Sequence, residues 1–402
     1  MKTLIRIIVL LLCVAATPRV SSAAADPTQP VETIDDLPRD ARLALYEAQQ
    51  FMEEGKLDKS AGVLEKYVRK NEKQDDRFLM HYHLAGVMVQ VDRREDALAE
   101  YERAVALEPR YAPSWLGLGE TAYGLGKYAR AAEALKKGYE LSEEKQPDVL
   151  YYAAAAQVLA SDASGAIPVL EELAYGKHGA PKFEWYRGLV SACLQASDRE
   201  RGDKAVAQML NAFGDRADAW HLAFQYGASV GDYRQAAIAL TVTGYLRPLT
   251  KQEQMQLGDL YAAIDAPAVA ANYYTTAAED SASASAVERI ASAYLASYQT
   301  EQALHVLEDG IRAHPTFRLW SLLGDLHVME KRFEPAYDAF AECSTLSPEE
   351  ARPQLMMGYC AMELGRLDDA MQHLTQAAQS EAYAERAQML IRRCQQLARA
   401  TP

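Results

Sequence analysis

From about residue 41 to residue 380, apolar positions recur at the three-to-four-residue spacing of amphipathic helices. One pairing repeats through this stretch: a small residue, then a large apolar residue four positions on. The small residues are Ser60, Ala97, Ala131, Ala166, Ala205, Ala236, Ala270, Ala303, Ala336 and Ala370, spaced 37, 34, 35, 39, 31, 34, 33, 33 and 34 apart. Their partners are Leu64, Tyr101, Leu135, Leu170, Met209, Leu240, Tyr274, Leu307, Phe340 and Leu374. Positions i and i+4 share a helix face one turn apart, so each pair predicts one helix packed by that face.

Other columns keep the same period. Twelve residues before the small position stand Ala48, Ala85, Gly119, Ala154, Gly258, Ala291, Gly324 and Gly358. Five before it stand Gly55, Asp92, Gly126, Gly231 and Gly365, which read as turns. Twelve after it stand Pro109, Pro248, Pro315 and Pro348, which cannot continue a helix. Each period is therefore two helices, A and B, joined by a tight turn. The small residues let A and B approach closely, and the large residue fills the space beside them. One hairpin cannot bury its apolar face alone, so the units must stack. Hairpin-turn dipeptides are nearly absent and Ala dominates the helical stretches, which excludes an all-β fold.

The pattern resembles the tetratricopeptide repeat (TPR) family, whose period is 34 residues. Trp115, Leu118, Gly119, Gly126, Tyr128, Ala131 and Leu135 carry the resemblance in one unit. Trp220, Gly231, Tyr233, Ala236, Leu240 and Pro248 carry it in another, as do Leu257, Gly258, Tyr261, Ala270, Tyr274 and Ala277. Trp320, Leu323, Gly324, Phe333, Ala336, Phe340 and Pro348 complete the set. The resemblance implies an all-α solenoid of about ten hairpins over residues 41–380. Residues 381–402 read as a capping helix, Tyr383 to Arg399, with its tail. The units around Ala166 and Ala205 match poorly, and the loop-like Ala174–Pro181 between them is where the stack is expected to bend or loosen.

The two ends add a compartment. Lys2 and Arg6 precede an apolar run from Ile7 to Ala16, then Pro18 and the small cluster Ala23–Ala25. Residues 1–25 read as a cleaved export leader, and the run is far shorter than the roughly 20 residues that span a bilayer. Cys13 follows Leu12 inside that run, which does not suit a lipid attachment site. A mature N-terminus at or near Asp26 is expected; N-terminal sequencing from cells that retained Met1 would overturn it. Residues 26–40, with three prolines, read as a flexible linker. The net charge of −14 shows no basic stripe, so nucleic acid is not an expected partner. No later run is long enough to span a membrane.

Chemistry is sparse. His81 and His83 lie two apart on a helix, about 200° around it, so they cannot share a metal. Gly117-x-Gly119 and Gly124-x-Gly126 sit in a helix and its closing turn, without the strand or the Lys of a phosphate loop. No catalytic motif, metal site or cofactor site is indicated. Cys193, Cys343, Cys360 and Cys394 show no CxxC spacing; Cys343 and Cys360 are either small core residues or a disulfide between adjacent units.

Binding remains. The TPR resemblance implies that helix A lines a concave groove, placing Tyr82, Glu120, Tyr123, His221, Gln225, Asp259, Asp325 and Tyr359 there. Three of these are acids and none is basic, so an anionic peptide tail is disfavoured. From Pro181 to Tyr274 the chain also resembles exported TPR proteins that accompany TonB–ExbB–ExbD systems. Trp185-Tyr186-Arg187, Gly231-Asp232-Tyr233, Leu249-Thr250-Lys251-x-Glu253 and Ala266-Pro267 carry this, and it lapses at Ser197 to Asp203. The implied function is a periplasmic, non-enzymatic scaffold that binds another envelope protein. The alternative is a scaffold in cell-wall or outer-membrane assembly.

Overall fold

The computed structural model describes residues 31–71, 76–278 and 283–400. The expected leader at 1–25 and residues 26–30 of the expected linker lie outside the described residues. Among the described residues there are 21 α-helices, one 3-10 turn at Ile34–Asp36 and no strand. The fold is all-α, a stack of helical hairpins closed by the C-terminal helix Ala384–Ala400.

The repeat columns explain the architecture. From the second repeat on, helix A is 13 residues long, as in Phe78–Gln90, Ala112–Gly124 and Phe317–Met329. Helix B follows after a three-residue turn, as in Arg94–Leu107, Tyr128–Leu141 and Phe333–Leu346. The turn needs one residue in the left-handed region. Gly55, Gly126, Gly231 and Gly365 supply it without strain, and Asp92 adopts it too. In the remaining repeats Ser161, Ser197, Asp265, Tyr298 and Lys331 take the same conformation, held by the helices on either side.

Those positions correct the register of repeat five. Helix B starts three residues before the small position in the other repeats, but here it runs Arg199–Phe213 with its left-handed turn at Ser197. The small position is therefore Gly202, which is buried and whose N–H bonds the Asp198 carbonyl at 3.1 Å. Ala205 and Met209 are buried one turn and two turns along the same face. With Gly202 in place, the irregular spacings of 39 and 31 disappear into the common period.

The small and large columns meet in space. A Cβ added to Gly119 would lie 2.6 Å from Leu135, one on Gly324 would lie 2.7 Å from Phe340, and one on Gly358 would lie 2.6 Å from Leu374. Each large residue thus closes over the backbone of helix A in its own repeat. In the first repeat the hydroxyl of buried Ser60 bonds the Ala48 carbonyl at 2.8 Å, joining the same two columns. Trp115 and Trp220 donate their indole N–H to the carbonyls of Pro109 and Gly214 at 2.8 and 2.7 Å. These bonds tie helix A to the loop that precedes it.

The chain divides into two compact units, residues 1–212 and 213–402. In the N-terminal unit, A helices of neighbouring repeats touch, including Arg39–Glu53 with Phe78–Gln90 and Phe78–Gln90 with Ala112–Gly124. Val31 and Leu37, in a stretch read from sequence as linker, are buried in its core. The loop 175–182 turns with Gly176 and Gly179 at positive φ; repeats four and five remain in one unit across it, and the division comes at Ala212–Phe213.

In the C-terminal unit, helix Ala384–Ala400 lays Ala387, Leu390 and Cys394 against Leu355, Met362, Leu374 and Ala377 of the last repeat. Its charged face turns outward, and Arg393 pairs with Glu363 at 3.6 Å. All four cysteines among the described residues are buried free thiols. Burial pushes Cys343 and Cys360 up to about 12, so both are packing residues rather than nucleophiles. Among the described residues no helix is long and apolar enough to cross a membrane.

Candidate functional site

The expected groove residues all lie on A helices, but they divide into two chemically different sets, one in each unit. In the N-terminal unit, Tyr82 of helix Phe78–Gln90 is half-buried. Its ring centroid lies 5.1 Å from His83, 5.4 Å from Tyr111 and 6.1 Å from Tyr101. Tyr82 and Tyr123 both pack on the hydrophobic core. Neither is a free-standing surface residue. Half-buried His83 has its imidazole pushed down to about 4 by desolvation, so it is neutral near pH 7.

Glu120 stands on helix Ala112–Gly124, one turn before Tyr123. Tyr123 meets Tyr128 edge to face at 5.5 Å. From helix Pro147–Leu159 of the next repeat come Tyr151 and Tyr152, 5.7 Å apart. The ring of Tyr151 lies over Gly188, where a Cβ would sit 3.0 Å from it. Burial raises the Tyr123 phenol, and the three neighbouring tyrosines, Tyr128, Tyr151 and Tyr152, raise it further; Glu120 is within electrostatic reach of Tyr152. The Glu120 side chain still reaches water, yet the surrounding protein desolvates its carboxyl enough to push it up to about 7. No cation and no hydrogen-bond donor offsets that desolvation among the described residues.

The C-terminal unit is different. His221 packs on Phe224 at 5.4 Å, with Gln225 at 3.2 Å and the Glu253 carboxylate at 3.3 Å. Glu253 is buried and belongs mainly to Arg247, which donates two bonds of 2.8 and 2.6 Å. Glu253 also closes a capping box with Thr250. The Arg247 bonds, together with Thr250, more than offset burial and hold the Glu253 carboxyl at about 2. Sequence reading placed Glu253 in a family pattern; the structure gives it the local role of fixing the start of helix Lys251–Ala263.

Asp259 accepts both bonds of the Arg289 guanidinium at 2.7 Å and the Tyr274 hydroxyl at 2.7 Å. Asp325 is gripped by Arg352 at 2.7 and 2.9 Å, and the same guanidinium bonds Ser321 at 2.6 Å. Glu288 pairs with Arg318 at 2.7 Å. Each of these bridges joins an A helix to the next A helix, over 30, 27 and 30 residues respectively. Tyr359 is half-buried and meets Phe333 edge to face at 6.0 Å.

The arginines correct the charge picture drawn from sequence. Two of the three acids expected in the groove, Asp259 and Asp325, are paired with an arginine of the following repeat and are not free charges. The signal was an acid followed 27 to 30 residues later by Arg, which an inspection within single repeats does not reveal. Among the described residues no cluster of His, Cys, Asp or Glu is arranged to hold a metal. The surface concavities are shallow and open, one of about 340 Å³ lying beside Tyr274, Glu288 and Arg289.

Paired helices in a common period define a helical-hairpin repeat protein. Residues 89–145 and 327–394 match models of the tetratricopeptide repeat, and the chain carries these repeats. Yeast Tom70 is similar over 89% of this chain and 96% of its own, at 12% identity and a TM-score of 0.36. The MamA protein is similar over 43% of this chain and 96% of its own, at 19% identity and 0.39. The C-terminal part of a TPR repeat-containing protein from Cytophaga hutchinsonii is similar over 58% and 96%, at 15% identity and 0.42. No curated protein matches the sequence.

Proposed function

We propose that the protein is a non-enzymatic scaffold that binds another protein of the cell envelope through its A-helix face. Tetratricopeptide repeats as a class mediate protein–protein interaction. The observation that carries the binding reading is the side-chain inventory of that face: tyrosine rings, a neutral histidine and a Glu120 carboxyl without a cation in the N-terminal unit. Aromatic rings with a polar tip give contact area at small entropic cost, which suits a peptide partner. Export and a periplasmic location rest on the leader at residues 1–25, and the TonB-linked setting rests on the resemblance over Pro181 to Tyr274.

Photo-crosslinking in cells tests this reading. A photoreactive residue replacing Gln225, exposed on helix A, is expected to trap a discrete envelope protein. The same residue at Lys136 or Arg234, exposed on helix B, is expected to trap none. Equal labelling from both helices would overturn the A-helix assignment. Loss of growth on substrates that need energised outer-membrane uptake would favour the TonB-linked role. A cell-shape or outer-membrane permeability defect without that growth loss would favour the assembly role.

A further inference from the structure

The acids of the A-helix face are not equivalent. Asp259 and Asp325 each hold a guanidinium from the next repeat. Glu120 occupies the same column, eleven residues before the small position, and has no such arginine. Its neighbours are aromatic: Tyr123 stands one turn along its own helix and packs on Tyr128, and Tyr152 of the next A helix, which packs on Tyr151, is within electrostatic reach of Glu120. Lys182, a cation within electrostatic reach of Tyr152, is already committed to Asp148 at 2.6 and 2.7 Å. Glu120 thus holds the column position of Asp259 and Asp325 without the cation that completes them.

We infer that a partner supplies the missing cation: the N-terminal A-helix face takes a polypeptide segment that seats one arginine side chain on Glu120 among these tyrosines. This rests on the A-helix binding reading above and deepens it. Charge complementarity selects the residue. A carboxylate favours a cation, and a guanidinium bonds it through two parallel N–H groups while stacking its plane on tyrosine. Lysine satisfies the charge but neither the fork nor the stack. The rest of the segment should be uncharged, because neutral His83 and the tyrosines offer it apolar area and hydroxyls but no second charge. Glu120 acts here as a recognition residue, and the charge pairing repeats between two proteins the Asp259–Arg289 and Asp325–Arg352 pairings within one, where a single terminal nitrogen of each arginine reaches both carboxylate oxygens.

Selection of displayed random peptides on the full-length protein tests this. The wild type is expected to enrich arginine at one position by about tenfold or more over the unselected library. Glu120→Gln, which keeps the side chain's shape and melts at the same temperature, is expected to lose that preference. A synthetic peptide from the wild-type selection, with its arginine replaced by glutamine, should bind the wild type about tenfold more weakly. It should bind Glu120→Gln as well as the arginine form does. Persistence of the arginine preference in Glu120→Gln, or its absence from the wild-type selection, would overturn the inference. The broader reading then still stands if the selected peptides crosslink from Gln225 or Tyr123. If no selected peptide crosslinks from helix A, the broader reading fails and this inference falls with it.

Discussion

Phe340→Ala is expected to destabilise the C-terminal unit by about 3–5 kcal/mol, the range for removing a fully buried aromatic ring. Phe340 is 0% exposed and lies among Ala336, Cys343, Met357 and Cys360. Its ring fills the space that Gly324 leaves open in helix A, and the Arg352 guanidinium stands 5.8 Å from its centroid. Alanine there leaves a cavity that neighbouring side chains cannot fill, because the two helices are already separated by a glycine. Tyr245→Ala on the preceding side of the same unit is the control. That ring is 84% exposed, so its loss should change stability within about 0.5 kcal/mol. Because each repeat contacts mainly its neighbours, the loss should appear first as faster hydrogen exchange in helices Phe317–Met329 and Phe333–Leu346. Equal melting and exchange in the two variants would show that the large column does not hold A and B together.

Much of this packing was legible because it is local. The small and large positions are four apart on one helix, and the glycine column lies within the same hairpin, so periodicity alone places Gly119 beside Leu135 and Gly358 beside Leu374. The turn column was only half legible. Glycine advertises a positive φ, whereas Ser161, Tyr298 and Lys331 reach it under the constraint of their flanking helices. Repeat five was misread for a related reason. Gly202 looks like a helix breaker inside Arg199–Phe213, while Ala205 and Met209 imitate the small and large pair one turn out of register.

The site was less legible because its chemistry crosses repeats. Column position identified Asp259 and Asp325 as helix A surface residues. Arg289 and Arg352 stand in other columns of the following repeat, and only the stacking brings them within bonding distance. The same holds for the tyrosines. Sequence separates groove from core as a binary choice, whereas Tyr82 and Tyr123 are half-buried, with one edge on the hydrophobic cluster. Alanine at either position would therefore disturb stability and binding together, which is why Glu120 and Gln225 are the cleaner probes.

The second large effect concerns His81. It occupies the column that Trp115, Trp220 and Trp320 fill in other repeats, and it is buried. Its Nε2 lies 2.6 Å from the Asp76 carboxylate and its Nδ1 lies 2.5 Å from that of Glu100. A neutral imidazole has a single N–H and would turn a lone pair towards one of these oxygens. The arrangement therefore calls for the imidazolium. Burial by itself would lower the pKa of His81, but hydrogen bonds to Glu100 and Asp76, and their charges, more than offset it and raise it above the ordinary 6.5. Burial likewise would raise Asp76, yet His81 and Arg103, which donates from Nε at 2.8 Å, leave it lowered. A raised histidine pKa gives stability that is fully present below the ordinary value and is lost as pH rises through the folded value. The N-terminal unit should therefore weaken as pH rises above the ordinary histidine range. His81→Leu leaves two carboxylates facing an apolar side chain and should cost about 3 kcal/mol at pH 6. His81→Trp, which restores the ring that other repeats use, should be less damaging and should lack the histidine-range titration. Denaturant melts of the three proteins between pH 5.5 and pH 8.5 measure this, the pH limits being about one unit below and two above the reference histidine value. A wild-type profile parallel to that of His81→Trp would show that His81 is neutral in the folded chain and that one of its carboxylates carries the proton.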